Sequence, residues 1–162
     1  MKTRPAQLIT DLGLAPHPEG GHFRETHRSP WTVRPDGASG LRSAITAIWF
    51  LLCDGERSRW HRLASDELWH FCEGDALDLF TIEPGIAPRI ERCRLGPAAE
   101  SAEPVLVVPA GSWQAARGTG AYTLASCTVA PGFEFTDFTL LADVPSEVAR
   151  LRAAGAAIDD LL

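Results

Sequence analysis

The chain has 162 residues, 45% of them hydrophobic and 22% charged, and a formal net charge of −6. This length and composition predict one globular domain over residues 1–162 that buries its own core. The acidic balance, with no basic run in the sequence, argues against a nucleic-acid partner, because binding to a phosphate backbone needs a clustered basic surface.

Targeting segments and cysteine usage indicate the cellular compartment. No apolar signal segment opens the sequence, and no apolar run approaches the ~20 residues that span a bilayer, so we expect no membrane partner. The cysteines, Cys53, Cys72, Cys93 and Cys127, are widely spaced and form no C-x-x-C pair. In a chain of this size they predict free thiols used as small buried apolar groups, and a cytoplasmic protein.

The N-terminal part predicts a helix, a glycine-rich loop and a strand. Residues 4–14 are predicted to form a helix in which Leu8, Ile9 and Leu12 make one apolar stripe. The loop over 15–21 holds two prolines and two glycines around one carboxylate, Glu19. Paired glycines permit positive φ or a close backbone approach. A strand over 22–28 follows, and then a polar loop over 29–40 that is a candidate for mobility.

The rest of the chain predicts short strands separated by turns, with a final helix over 143–154. Turn signals recur about every eight to twelve residues, which favours a sandwich or barrel over βαβ units. The predicted strands cover 43–52, 57–63, 67–73, 76–82, 89–94, 105–108, 113–117, 121–129 and 133–141.

The densest polar cluster lies on two neighbouring predicted strands, 57–63 and 67–73. Side chains on a strand alternate between faces, so His61 has Arg59 beside it on its own face. If the two strands pair through the corner between them, Glu67 points into the same interior as His61. A histidine that faces a glutamate can hold a divalent metal ion or act as an acid/base pair, with burial raising the pKa of the glutamate.

Four further side chains are candidates for substrate binding or for simpler roles. Trp69 and Phe71 share the face of Glu67; such residues usually belong to a core, but they also suit stacking on a flat or sugar-like ligand. Arg59 is either a surface arginine or a partner for an anionic substrate. Glu19 is either a turn carboxylate or a contribution to the pocket from a lid or a partner subunit.

Fixed spacings join His61, Leu63, Glu67 and Gly74, and the triplet P-A-G over 109–111 leads after two residues to Gln114. The cupin superfamily has a His, a second His two residues on, a Glu four or five residues later, and a Gly seven residues past the Glu. Its second motif is P-x-G followed by a His. The sequence therefore resembles a cupin in which the second His place holds leucine and the last His place holds glutamine.

The resemblance is closest to a small, largely uncharacterised bacterial and fungal branch. It implies an all-β cupin jelly-roll, a β-barrel or sandwich with short N- and C-terminal helices, similar in shape to the dTDP-sugar epimerases. It also implies a homodimer. The blocks that carry it are H-P-E-G-G (17–21), F-R-E-x-x-R-S (23–29), W-H-R-L-x-S-D-E-L-W-H (60–70), V-P-A-G-x-W-Q (108–114) and T-V-A-P-G-F (128–133).

A cupin metal site is only partly retained. His61 and Glu67 occupy two of the four usual ligand positions, Leu63 cannot bind a metal, and the amide of Gln114 is a weak oxygen donor. The partial set of His61, Glu67 and Gln114 leaves open one divalent metal ion completed by water, held less tightly than by three His and one Glu.

Three functions stay open for the internal pocket. The first is an epimerase, isomerase or lyase acting on a small polar or sugar-like metabolite, with His61 as base, Glu67 as its orienter or general acid, and Gln114 hydrogen-bonding to developing charge. The second is a metal-dependent enzyme of oxygenase or decarboxylase type. The third is a metabolite-binding module without chemistry. Fold alone does not choose among them.

Overall fold

A computed structural model of the chain describes residues 3–36, 40–85, 88–99 and 101–162. Helix α1 covers Arg4–Asp11 and helix α2 covers Pro145–Ala153, with short 3-10 turns between and after the last elements. The strands, in chain order, are β1 Ala15–Pro16, β2 His22–Arg28, β3 Thr32–Val33, β4 Arg42–Ser43, β5 Thr46–Cys53, β6 Arg57–Arg62, β7 Asp66–Gly74, β8 Leu77–Ile82, β9 Glu91–Leu95, β10 Val105–Val108, β11 Trp113–Gly118, β12 Tyr122–Ala130 and β13 Thr139–Leu140.

Two antiparallel sheets form a jelly-roll sandwich. The larger sheet has six strands in the order β1-β2-β5-β12-β7-β10, and the smaller has five in the order β13-β6-β11-β8-β9. Strands β3 and β4 form a separate ribbon. The predicted all-β jelly-roll with a short helix at each end is confirmed, in its sandwich form: over the described residues the two sheets are not closed into a barrel.

Strand β5 is apolar on both faces because both faces are covered. Phe50 and Leu52 are buried in the core between the sheets, against Trp69 of β7. Leu51 points the other way and packs with Leu8 of α1. This is the arrangement that its continuous apolar run predicts.

Strand β6 is also covered on both faces, and this positions the site. Trp60 is buried with Leu151 of α2 and with Ile158 outside the smaller sheet. Its indole Nε1 donates to the Ile158 carbonyl at 3.1 Å. Because neighbouring side chains of a strand alternate, His61 points to the inside of the sandwich, where it is 2% exposed.

The pairing of the two central strands differs from the simple expectation. Strand β6 pairs with β11 and β13, whereas β7 pairs with β10 and β12, so the two lie in different sheets. The segment 63–65 therefore crosses between the sheets instead of closing a hairpin. His61 and Glu67 still meet in one interior, but they face each other across the sandwich.

The predicted strand over 133–141 is wrong for most of its length. A 3-10 turn covers Phe135–Asp137, and only Thr139–Leu140 pairs, as β13. The step from Phe135 to Phe138 is three residues, which breaks the two-residue period of a strand. The turn lets both rings pack against His17.

Other sequence expectations need smaller corrections. Cys127 is buried and Cys53 is half-buried, whereas Cys72 and Cys93 are exposed. The prediction that the cysteines serve as buried apolar groups is therefore correct only for Cys127. The predicted loop over 29–40 contains β3, and its residues 37–39 lie outside the described part of the chain. Neither α1 nor α2 has the length and apolar character needed to cross a membrane.

Candidate functional site

A cavity that is partly open to solvent lies inside the sandwich. Its inner polar groups are His17 and Glu19 from the loop after β1, His61 from β6 and Glu67 from β7. The remaining wall is mostly apolar and includes Phe23, Phe50, Leu63, Trp69, Phe133 and Phe138.

The imidazole of His61 is held in one tautomer. Its Nδ1 lies 2.8 Å from the Arg59 carbonyl, which can only accept, so Nδ1 carries the proton and Nε2 keeps its lone pair. The ring stacks on Phe138, with centroids 5.4 Å apart. Burial lowers the pKa of His61, although Glu67 and the carbonyl of Arg59 oppose that shift. The ring is therefore neutral at pH 7 and directs a basic nitrogen at the cavity.

Two glycines fold the loop that brings Glu19 to His61. Gly20 has φ +115° and Gly21 has φ +68°, a region that side chains with a Cβ rarely adopt. A Cβ at Gly20 would lie 2.1 Å from the Arg57 carbonyl of β6. The Arg59 amide donates to the Glu19 carbonyl at 2.9 Å, which fixes the loop against β6. Glycine is required here because the loop backbone lies directly on the strand.

The carboxyl group of Glu19 is buried between uncharged partners. Oε1 accepts from the Ser58 hydroxyl at 2.8 Å, and Oε2 lies 3.3 Å from His61 Nε2 and 3.4 Å from His17 Nδ1. Burial raises the pKa of Glu19 to about 8, against the opposing effects of Ser58 and Arg59. Burial, with His61 nearby, lowers the pKa of His17 to about 4. At neutral pH the carboxyl therefore holds its proton between two neutral rings.

Glu67 is fixed by a glutamine that an indole orients. Gln114 Nε2 donates to Glu67 Oε2 at 2.5 Å, and Gln114 Oε1 accepts from Trp69 Nε1 at 3.0 Å. The indole can only donate, so the amide oxygen must face it and the amide nitrogen must face the carboxylate. Burial, and to a lesser extent Glu19, raise the pKa of Glu67 to about 7, while His61 and these hydrogen bonds lower it.

The structure brings four of the predicted site residues to the cavity wall. They are His61, Glu67, Trp69 and Glu19. Glu19 reaches the wall through the glycine loop of its own chain, so the position of its carboxyl needs no partner subunit.

The other three predicted residues lie off the cavity lining. Gln114 is buried beside Glu67 with both ends of its amide in use, so it acts on the site by orienting that carboxylate. Phe71 packs against the core between the sheets. The guanidinium of Arg59 donates to the Pro18 carbonyl at 2.6 Å, which braces the glycine loop.

His17 and Phe138 line the cavity, although neither residue was predicted as part of the site from the sequence. His17 contacts the Phe23 ring edge-on at 4.5 Å, and its Nδ1 accepts from the Glu19 amide at 3.3 Å. His17 stands two residues before Glu19, which directly precedes the paired glycines. This position in the H-P-E-G-G block is the signal that could have identified His17. Phe138 lies in the part of the predicted strand over 133–141 that does not form.

Arg28, on the cavity lining, is paired with two carboxylates. Its guanidinium makes two hydrogen bonds to Glu25, one to Glu134 and one to the Phe133 carbonyl, at 2.8–3.1 Å. These contacts neutralise the charge and occupy four of the five guanidinium N–H groups. The described lining therefore has no free cationic side chain with which to pair an anion.

The four usual cupin ligand positions do not supply a complete donor set for a divalent metal ion. The second-His place is the apolar Leu63, and the Gln114 oxygen already accepts from Trp69. His61 and Glu67 alone remain of the four usual positions, fewer than such ions take from a protein.

Comparison with known proteins places these features in a family. The model of the Cupin superfamily (DUF985) matches residues 6–141. An uncharacterized protein of Saccharomyces cerevisiae, YML079W, is 30% identical over 151 residues, which cover 83% of this chain and 74% of that one.

Solved structures agree with this match over the whole chain. Protein SO0799 from Shewanella oneidensis is 30% identical, with a TM-score of 0.85, covering 99% of this chain and 98% of that one. A hypothetical protein from Leishmania major has the same identity and coverage and a TM-score of 0.87. Oxalate decarboxylase from Bacillus subtilis shares the fold alone, at 16% identity and a TM-score of 0.56 over 90% of this chain and 35% of that one.

Proposed function

The chain belongs to the Cupin superfamily (DUF985), and we propose that it is an enzyme of the isomerase, epimerase or lyase type that moves a proton on a small molecule in the cavity. One observation carries this proposal: two buried carboxyl groups, with pKa values raised to about 8 for Glu19 and about 7 for Glu67, flank the neutral imidazole of His61. Proton transfer near neutral pH needs an acid and a base of such matched strengths.

The two carboxyl groups take different roles. Glu67 is partly ionised near pH 7 and has the higher proton affinity of the two candidate bases, since the pKa of His61 is lowered. It therefore removes the proton from substrate carbon. Glu19 is protonated, and its single O–H, which is directed at His61 Nε2 before substrate binds, turns to the developing oxyanion or to the leaving group when substrate is bound. His61, which the sequence alone predicted as the base, instead accepts from Glu19 through Nε2 and positions that acid.

The cavity wall favours an uncharged substrate with a flat, mostly apolar body. The wall contains several aromatic rings, and the one guanidinium on the described lining, Arg28, is engaged by Glu25 and Glu134. A carboxylate or phosphate on the substrate would find no free cation and would face buried acids. This narrows the predicted polar or sugar-like metabolite to one without charge.

The other two predicted functions have weaker support. A metal-dependent oxygenase or decarboxylase would need donors that Leu63 and Gln114 do not supply, so no step is derived through a metal ion in the cavity. A binding module without chemistry would need no pair of tuned carboxyl groups. The homodimer and the cytoplasmic location stay predictions.

Deuterium exchange tests the proposed chemistry directly. Uncharged cyclic ketones, hydroxyketones and lactones are screened by thermal shift, and those that stabilise the protein are incubated in D₂O and followed by proton NMR. We expect the protein to exchange or isomerise at least one of them, and Glu67→Gln to slow this by at least about 100-fold, the usual contribution of a general base. The matched control is Glu91→Gln, on an exposed position of β9.

The outcomes separate the candidate functions. Equal exchange rates for the wild type and Glu67→Gln would contradict the proposed base. Ligands that stabilise the protein but never change, by NMR and mass spectrometry, would favour the binding module.

A further inference from the structure

A second cluster of chemically reactive side chains lies outside the cavity, on the outer face of the larger sheet. His22 begins β2 and pairs with Leu51 of β5. Cys53 is two residues further along β5, so it projects on the same face as Leu51, which packs against α1. Glu56 follows in the turn between β5 and β6. One ligand atom from each of His22, Cys53 and Glu56 lies within 4.8 Å of the other two.

The distance between two of these atoms is that of neighbouring ligands around one small cation. Bonds of about 2.0–2.3 Å at tetrahedral angles place neighbouring ligand atoms about 3.3–3.6 Å apart. His22 Nδ1 lies 3.5 Å from Glu56 Oε1. The other oxygen, Glu56 Oε2, accepts from the Cys53 amide at 2.9 Å, so the backbone of one ligand orients the carboxylate of another.

His22 supplies an independent observation that points to a ligand. Its Nδ1 atom is buried and has no hydrogen-bond partner, although Glu56 Oε1 lies 3.5 Å away. Among the described residues only one other buried side-chain nitrogen or oxygen, Ser112 Oγ, shares this state. A buried polar atom without a partner is costly and is rare in native proteins. A bound cation would satisfy it.

We propose that His22, Cys53 and Glu56 form a binding site for one borderline divalent cation of the Zn²⁺ class, with water in the fourth position. A nitrogen, a sulfur and an oxygen donor suit zinc and related ions better than calcium or magnesium, which prefer oxygen alone. A thiolate and a carboxylate balance the charge of the ion. The His22 and Glu56 side chains are 22% and 32% exposed, so the cluster lies near the protein surface.

Binding exchanges a proton for the ion at Cys53. Burial, with Glu56 beside it, raises the pKa of this thiol to about 11, so without metal it is protonated and a poor nucleophile at neutral pH. When the ion binds, the sulfur–metal bond forms and the thiol proton leaves to solvent, with no change in oxidation state.

The site would connect two segments that shape the cavity. His22 directly follows the glycine loop that carries Glu19, and Glu56 directly precedes β6, which carries His61. An ion shared by His22 and Glu56 therefore holds the loop to the start of that strand. This predicts that metal raises the thermal stability of the protein, a readout that does not depend on enzymatic activity.

Cobalt substitution tests the proposal. Protein without a histidine tag is treated with chelator and titrated with Co²⁺, whose bond to a thiolate gives a charge-transfer absorption band. We expect one equivalent to bind with this band, a higher melting temperature, and displacement by Zn²⁺. Cys53→Ser should abolish the band and weaken binding at least about tenfold, since even loss of a partner that only supports a ligand costs that much. Cys93→Ser, which removes an exposed thiol on β9, is the matched control.

Two further variants keep the test decisive. His22→Gln retains the thiol and should also weaken Co²⁺ binding at least about tenfold, with circular dichroism of the metal-free proteins confirming that each variant folds. Glu67→Gln alters the cavity and should leave cobalt binding unchanged. The proposal is overturned by absence of stoichiometric binding, by a band that survives Cys53→Ser, or by binding that depends on Glu67. Failure of the cavity chemistry leaves these results unaffected.

Discussion

The carboxyl Oε2 of Glu19 lies 3.3 Å from Nε2 of His61, although one residue comes from the N-terminal loop and the other from a central strand. His61 Nδ1 donates to a carbonyl, so Nε2 can only accept, and the carboxyl must supply the proton. The raised pKa of Glu19, about 8, provides that proton at neutral pH. The contact is therefore a neutral hydrogen bond, not an ion pair, and ionisation of Glu19 removes it.

Stability should fall as the pH rises from about 7 to about 8. The folded pKa values of Glu19 and Glu67, about 8 and about 7, exceed the ordinary value of 4.5. In this range the folded chain therefore binds protons that the unfolded chain has released, and the free energy of unfolding decreases with pH, by about 1.4 kcal/mol per pH unit for each full proton. His17 and His61 are neutral when folded and largely neutral when unfolded at these pH values, so they contribute little. Urea unfolding at constant ionic strength measures this slope.

Glu19→Gln should flatten the pH slope because it removes the group with the higher folded pKa. Glu91→Gln changes an exposed carboxylate of β9 and should keep the slope of the wild type. A wild-type stability that is constant or rises between these pH values would contradict the assignment of a protonated carboxyl.

Gln114→Leu should destabilise the protein by roughly 2–4 kcal/mol. The substitution leaves Trp69 Nε1 and Glu67 Oε2 without their amide partner, and each orphaned buried group costs about 1–3 kcal/mol. It should also raise the pKa of Glu67 further, because the lost hydrogen bond lowers that pKa. Urea unfolding measures the first effect and the pH dependence of turnover the second. Trp69→Phe should lower the free energy of unfolding less in the Gln114→Leu variant than in the wild type. Equal decreases would show that the indole does not orient the amide.

Gly20→Ala should misplace the loop that carries Glu19. Its Cβ would meet the Arg57 carbonyl at 2.1 Å, so the loop must move away from β6. Gly55→Ala is the matched control: Gly55 also has a positive φ, +77°, but a Cβ there meets nothing within 4 Å. The control should lose about 1–2 kcal/mol from backbone conformation alone. We expect Gly20→Ala to lose clearly more in urea unfolding, and equal losses would mean that contact with β6 does not fix the loop.

Leu63→His should create metal binding in the cavity. The new imidazole would stand two residues from His61 on the same face of the chain, and with Glu67 it would complete three donors. The test uses the Cys53→Ser background, so that the outer cluster does not compete. Calorimetry with Ni²⁺ or Mn²⁺ should show at least about tenfold tighter binding than in that background alone. Leu63→Gln, which adds polarity without an imidazole, should show no such gain.

Alternation along single strands could be predicted from the sequence, and partners between strands could not. The two-residue period correctly placed Glu67 with Trp69 on one face, and His61 on the face opposite Trp60. The pairing of β6 with β11 instead of β7 depends on contacts distant in sequence, and a corner of three residues is compatible with either a hairpin or a crossing between sheets.

The parts of the site that the sequence missed are those made by long-range packing. Gln114 has a place in a motif, but its role follows from an indole on another strand that fixes the amide direction. His17 joins the site because the glycine loop folds onto β6, and no local pattern encodes that target. Raised pKa values of buried carboxyl groups depend on the whole surrounding wall, so the sequence could indicate their direction but not their size.

Helix α2 and the segment after it have a consequence for any shortened form of this protein. The family match ends at residue 141, yet Leu151 and Ile158 cover Trp60 on the outside of the strand whose inner side bears His61. A chain cut after residue 141 would expose Trp60 and Trp113 to water as one hydrophobic patch, and such patches promote aggregation. His61 would then lie on a strand whose outer face is no longer covered. We therefore expect such a chain to lose solubility and activity together.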